Sequence, residues 1–351
     1  MAESPLVAVH RAAAASLTVI DDVEVAARYP GALDAPLAST DVVCADLAHR
    51  PVFQLVGDDV RRWTNGMFTN NTRALQVGRG NRHCACDDRG RVQGVLDLYL
   101  VAEDTVRIVL DGMTRDAFES RYRMYLMLDD IELDDESPER TVLTVQGAAA
   151  APHLEALGLP VPAVDYAHLD ATGDFSGVTV ARRDRIGRGG FDLFVPAHLA
   201  ASVWAALTHR GVRALGVADL DALRVLAGQA AFPTDASDKS MVHELALDKA
   251  CCSFNKGCYV GQEVINRIDV KGAIQKRLTG VVLDGAVPVG AKVMLGDKAV
   301  GTLTSRATLW GRELGLGVLR KAVWEAGTEV QVDDGTGGVV RGVVTTAPLV
   351  G

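Results

Sequence analysis

The sequence predicts an α+β chain that ends in an all-β unit, and three observations carry that reading. The chain has 351 residues, and at ~150 residues per domain this makes roughly two to three domains. Up to about residue 279, strand-like and helix-like patterns alternate. From Gly280 the texture changes to short apolar runs at 281–283, 292–295, 299–304, 314–319 and 329–332, with turns such as Gly296-Asp297 and Asp334-Gly335 between them. Turn signals every ~8–12 residues are the mark of a small β barrel or sandwich. The predicted division is 1–139, a first α+β part; 140–279, a second; and 280–351, the β unit.

Taken in order, the first ~35 residues are Ala-rich and weakly patterned. Gly57-Asp58-Asp59 starts a helix running through Trp63, with Asp58 or Asp59 as its cap. The Gly-, Arg- and Asp-dense stretch from Gly78 to Gly94 reads as turns joining short strands. Segments 95–101 and 106–110 read as strands with a turn at Glu103-Asp104, and 117–128 as an Arg-rich helix. Residues 129–139 hold seven acids and no base, which is either an acidic docking surface or a solvated strand and turn. A second round follows: strand 141–146, helix 148–157 ended by Gly158 and the Pro160/Pro162 pair, strands 177–182 and 191–195, and helix 197–209.

Composition excludes several classes. Apolar residues make up 48% and charged residues 23%, an ordinary globular balance. The net charge of −9 opposes broad coating of nucleic acid, so direct nucleic-acid binding is not expected. No apolar run approaches the ~20 residues of a membrane span. Glu3 stands where a signal peptide needs cations, so a cytoplasmic protein is the expectation. Six cysteines in a chain this long read as reduced thiols. Cys84-Ala85-Cys86 and Cys251-Cys252 lack zinc spacing, and no metal site is predicted. His243-Glu244 begins like a zinc-protease motif, but Leu247 stands where its second His must be. Phosphate-loop, dinucleotide and nucleophile-elbow motifs are absent.

The informative segment is Lys256-Gly257-Cys258-Tyr259-Val260-Gly261-Gln262-Glu263, continuing to Arg267, Lys271, Lys276 and Arg277. Two glycines bracket one cysteine, so the backbone can turn tightly there. Lys256 stands two residues before the thiol, and a short helix from Gly261 to Ile268 would place Cys258 near its N-terminal end. A cation and a helix N-terminus both favour thiolate over thiol. Between 256 and 277 five bases face two acids, a local excess that would attract an anionic ligand or partner. The bland alternative is a small buried cysteine among solvated bases.

This segment, with Arg267, Gly272 and Lys276-Arg277-Leu278, resembles the signature of the YgfZ branch of the glycine-cleavage T-protein superfamily. Weaker likenesses extend it over about residues 40–348: Trp63 to Asn71, Asp88 to Val92, Gly187 to Val195, Leu223 to Gly228, and Gly301 to Ser305 with Gly317 to Leu319. The resemblance implies a three-domain cloverleaf around a central folate channel, with tetrahydrofolate as cofactor and a C-terminal β-barrel. It further implies iron–sulfur client proteins as partners and, in bacteria, a link to tRNA modification. Carried onto this chain, it makes Cys258 the reactive thiol with Lys256 beside it, and Asn70, Arg224, Tyr259, Gln262 and Glu263 the folate contacts. A pterin needs an apolar slot with polar partners, and its glutamate tail needs a cation.

Departures shape the functional expectation. Where aminomethyltransferases carry an acid after a Gly-Gly turn, this chain has Gly94-Val95, and Asp97 comes two or three places late. A further family Glu is matched by Arg188, and Val242-His243 replace a usual Leu-Pro. The resulting main expectation is a folate-binding factor for assembly or repair of iron–sulfur proteins, acting through Cys258. The alternatives are a folate-dependent one-carbon (aminomethyl or methyl) transferase, and an interaction scaffold without folate.

Overall fold

The computed structural model describes residues 2–272 and 274–349. Two large sheets, a small one and a barrel make up the chain. The first large sheet is antiparallel throughout, in the order Arg79–Cys86, Val92–Ala102, Thr105–Asp111, Val52–Val56, Glu132–Asp135. One face is covered by the helix Arg115–Leu126, which lays Phe118 against Phe53 at 4.9 Å. That helix opens at Thr114, whose hydroxyl accepts from Ala117 N at 3.2 Å, a standard N-cap.

The second sheet runs His168–Asp170, Thr179–Arg182, Gly190–Pro196, Arg140–Gln146, Val43–Asp46, Arg213–Leu215. Its strand Val43–Asp46 comes from far upstream and pairs antiparallel with Arg140–Gln146. The helix Ala200–His209 buries Val203, Trp204 and Leu207 against this sheet. The C-terminal unit is a closed six-stranded barrel, sealed where Lys276–Leu283 pairs with Val339–Thr345. Val281, Val293, Leu303, Leu319 and Val332 fill its interior, the alternation expected of a small barrel.

Several expectations are corrected by these elements. Residues 2–28 form a helix, Val7–Ala12, and a three-stranded sheet rather than weak structure. Its hairpin turns at Asp21 and Asp22, both at positive φ (48° and 64°), the left-handed pair a two-residue hairpin turn needs. Arg79–Cys86 is one eight-residue strand, where turns joining short strands were expected. The early helix runs Val60–Met67; Asp59 sits at its cap position without capping it, its carboxylate taking Arg62 Nε (3.1 Å) and Asp130 N (3.3 Å) instead. The acidic stretch follows the strand-and-turn alternative: it contains the edge strand Glu132–Asp135, with ion pairs from Glu136 to Arg107 (2.6 Å) and Asp135 to Arg115 (2.8 Å). Among the described residues no helix is long and apolar enough to cross a membrane.

Candidate functional site

Chemistry-bearing side chains gather in two neighbouring places. The first is a cavity of about 570 Å³ between the two large sheets, the hairpin of the small sheet and the segment 217–234. Leu47, Leu110, Met113, Leu220 and Phe232 give it apolar walls. Charge enters from strand ends. Arg82 faces Asp97 across the Arg79–Cys86/Val92–Ala102 ladder. Its guanidinium donates to Asp97 Oδ1 (2.8 Å) and to Asp111 Oδ2 (2.6 Å). Arg183 donates to Asp97 Oδ2 at 2.9 Å, Arg185 to Asp192 at 2.6 Å, and Arg50 to Asp111. Four arginines thus meet three aspartates, leaving one positive charge in a buried wall.

Burial of this kind costs several kcal/mol per ion unless the geometry compensates. Here it does: burial opposes ionisation of Asp97, yet Arg183, Arg82 and Arg185 hold its carboxyl down at about 2. Asp111 is half-buried, and Arg50 and Arg82 keep it well below the carboxylate range. His49, also on the cavity wall, is pushed down to about 3 by burial and by Arg50, so its imidazole is neutral at pH 7. His49 Nδ1 and Arg50 Nε are buried without any hydrogen-bond partner. Orphaned polar atoms on a cavity wall are costly unless a ligand or water meets them. An apolar slot with arginines and unpaired polar atoms suits a flat, largely apolar ligand that carries carboxylates and hydrogen-bonding edges.

The second place is the motif loop. Residues 250–260 are stitched to 66–70 by backbone bonds, Ser253 N to Thr69 O (3.0 Å) and Val260 N to Gly66 O (3.1 Å). Thr69 Oγ1 donates to Cys251 O at 2.5 Å and accepts from Cys84 N at 2.8 Å. The motif helix is Gln262–Lys271, entered from Gly261 at φ +81°. A Cβ on Gly261 would stand 2.5 Å from Asp87 O and 2.8 Å from Gly90 Cα, so the motif backbone lies directly on the 87–90 turn. Gly257 has nothing within 4 Å of its Cβ position, so the tight packing falls on the second glycine alone.

Each predicted site residue can now be placed. Cys258 is exposed. Lys256 donates through Nζ to the carbonyls of Phe68 and Asn70, both at 2.6 Å, and lies 4.7 Å over the Tyr259 ring. Burial lowers its pKa to about 7. Asn70 bridges the loop to the strand, its Nδ2 donating to Arg82 O at 2.9 Å. Tyr259 is packed with Cys84, Cys86, Val95 and Ile265 in a satellite core, and its hydroxyl lacks a partner. Gln262 is half-buried and Glu263 exposed. Arg224 does line the cavity, but its donors go to Asp221 (2.7 Å), Asp235 (2.8 Å), Gln229 O (2.7 Å) and Ser305 Oγ (2.8 Å). It ties the helix Val217–Leu226 to the barrel.

Sequence reasoning missed Arg50, Arg82, Asp111, Arg183 and Arg185 as a group. One signal was available: Asp97 between Leu96 and Leu98, an acid in an apolar strand that needs buried cationic partners. Arg188, the replacement for a family acid, donates to the carbonyls of Leu37 (3.0 Å) and Ala38 (2.7 Å), outside the cavity lining.

Comparisons with known proteins agree with one another. The GCVT N-terminal domain family matches residues 6–256. An aminomethyltransferase of Rubrobacter xylanophilus is 26% identical over 340 residues, spanning 94% of this chain and 90% of the relative. A putative chloroplastic transferase of Arabidopsis thaliana is 26% identical over 306 residues, 86% of this chain and 71% of the relative. In fold, the chain is similar to the crystal structure of glycine cleavage system aminomethyltransferase T from Bartonella henselae, with a TM-score of 0.88, 20% identity, and coverage of 99% and 98% of the two chains.

Proposed function

The chain belongs to the GCVT N-terminal domain family, and from that premise we propose that it binds tetrahydrofolate in the arginine-lined cavity and acts as a folate-dependent one-carbon (aminomethyl or methyl) transferase. The observation that carries the reading is the cavity itself: about 570 Å³, apolar walls, and His49 Nδ1 and Arg50 Nε without partners. When bound, a reduced folate supplies a nitrogen that carries the one-carbon unit. Arg50, Arg183 and Arg185 favour the ligand's carboxylates. Neutral His49 and Arg50 Nε offer hydrogen bonds to its polar edge. Leu110, Met113 and Phe232 exclude water from its ring. Asp97, held at about 2, stays ionised at pH 7 and orients Arg82 and Arg183; a group so acidic makes a weak general base.

The test is equilibrium binding of tetrahydrofolate to the purified reduced protein, beside Ala218→Trp, which adds bulk at a lining position and replaces no charged residue. Binding at about 10 µM or tighter, weakened at least about 30-fold in the variant, supports the site. No binding at millimolar folate sinks it. Formation of methylene- or methyltetrahydrofolate from a one-carbon donor then tests turnover; its absence across amine donors removes the transferase reading.

A second reading rests on the exposed Cys258 in its motif: a YgfZ-type factor for assembly or repair of iron–sulfur proteins, tRNA-modifying enzymes among its clients. Cys258→Ala should then leave folate binding intact and fail to restore iron–sulfur enzyme activity in a deletion strain. Full restoration by that variant removes the role of the thiol.

A further inference from the structure

Beyond the folate reading, and independent of it, lies a cluster on the outer side of the motif helix. His243, on the turn after Met241, Asp248, at the start of the short helix Asp248–Cys251, and Asp269, on the helix Gln262–Lys271, converge from three segments. One ligand atom from each lies within 4.8 Å of the others. His243 is 7% exposed, and neither of its ring nitrogens has a hydrogen-bond partner. Its Nε2 stands 3.8 Å from Asp269 Oδ1, beyond hydrogen-bond reach. A buried imidazole would ordinarily find a partner; this one is aimed between two carboxylates that stop short of it. Phe254 flanks the ring at 6.4 Å. The competing cation is weak: Lys249 Nζ is 3.7 Å from Asp248 Oδ2 on a side chain that is 84% exposed. Glu244, which made the sequence look like a zinc-protease motif, is turned to Met241 N (3.1 Å) and Lys276 (3.6 Å).

We infer that His243, Asp248 and Asp269 bind one divalent first-row transition cation, Zn²⁺ or Mn²⁺, leaving coordination positions open to water. Ligand atoms at ~2.1 Å from a shared ion lie about 3.0–3.4 Å apart. The observed spread therefore needs side-chain rotations that draw the three ligand atoms together by up to about 1–2 Å. One nitrogen and two carboxylate oxygens suit zinc, manganese or ferrous iron rather than the soft ions that thiolates select. The bound ion clamps the helix that begins four residues after Cys258 onto the segment carrying Cys251 and Cys252.

The experiment uses the full chain, stripped with a chelator and titrated by calorimetry with Zn²⁺ and, separately, Mn²⁺. The expected result is one equivalent of Zn²⁺ at a Kd of about 10 µM or tighter, with a Tm that rises on loading. His243→Gln and Asp269→Asn should each weaken uptake by more than the roughly 10–100-fold that loss of an outer-shell partner costs. Both variants should keep the circular dichroism and metal-free Tm of the parent. A Cys251→Ser/Cys252→Ser double variant should bind as the parent does. No saturable uptake of either ion up to about 1 mM overturns the site. So does uptake that survives both His243→Gln and Asp269→Asn, or uptake lost only in the cysteine variant. Folate binding is measured on the same samples, so failure here and failure of the folate reading are told apart.

Discussion

The cavity and the motif loop are joined by one strand and handle charge in opposite ways. In the cavity every aspartate of the network has at least one guanidinium, and Asp97 has two at 2.8 and 2.9 Å. In the motif, half-buried Lys256 sits against two carbonyls and a ring with no carboxylate partner among the described residues, and its pKa falls to about 7. The difference teaches where each region's rigidity comes from. The cavity is set by paired charges that cannot be removed singly. The motif is set by backbone, chiefly the contact of Gly261 with Gly90.

The largest test of that contrast is Asp97→Asn. It removes the carboxylate between Arg82 and Arg183, leaving Asp111 as the one counter-charge near both, and should cost about 3–5 kcal/mol in denaturant unfolding; a loss below about 1 kcal/mol would mean the network is not what holds the cavity. The same carboxylate gives the pH arm. Its folded value of about 2 lies below the unfolded value of 3.8, so its contribution is present above about pH 4 and is lost as pH falls through 2. That contribution is roughly 2 kcal/mol, and the pH dependence should flatten in Asp97→Asn.

Next in size is a pair within the motif. Gly261→Ala meets Asp87 O at 2.5 Å from a left-handed φ and should destabilise by about 1–3 kcal/mol. Gly257→Ala meets nothing and should stay within about 0.5 kcal/mol. Equal effects would erase the distinction drawn between the two glycines. Smaller again is Lys256: reductive methylation of its amine should rise through a midpoint near pH 7, against 10.5 for an ordinary lysine. Because the unfolded chain binds that proton more readily, stability should climb between pH 7 and about 10.5, and Lys256→Met should abolish the climb. The smallest effect belongs to Arg341→Ala. Its pairs with Glu329 and Asp284 are exposed, and Tm should not move measurably.

The barrel was legible because Leu303, Val330 and Val332 sit in runs whose alternation one buried face imposes. Strands 95–101 and 106–110 were legible for a different reason: buried on both faces, they read as near-continuous apolar runs. The strand Arg79–Cys86 was not, because its interior residues include Arg82 and His83, which look like surface until their partners arrive from residues 97 and 81. The Ser16–Ile20/Val23–Arg28 hairpin was hidden by an Asp-Asp turn in place of the usual Asn-Gly or Asp-Gly. In the motif, the helix after Gly261 was legible, since spacing and glycine carry that information locally. The cavity network stayed invisible because its members are separated by as many as 142 positions, Arg50 to Asp192, and no local pattern links them.

The placement of Val43–Asp46 has a consequence for the order in which the protein is made. Its neighbour in the sheet, Arg140–Gln146, follows only after the whole first sheet has been synthesised. At ~5–20 residues per second a ribosome takes roughly 5–20 s to cover those ~100 residues. During that interval the first sheet can close on itself, while an apolar strand waits upstream with both edges unpaired. The chain therefore emerges with a finished unit suspended from an unfinished one, and a chaperone that shields residues 43–46 would be needed most at that moment.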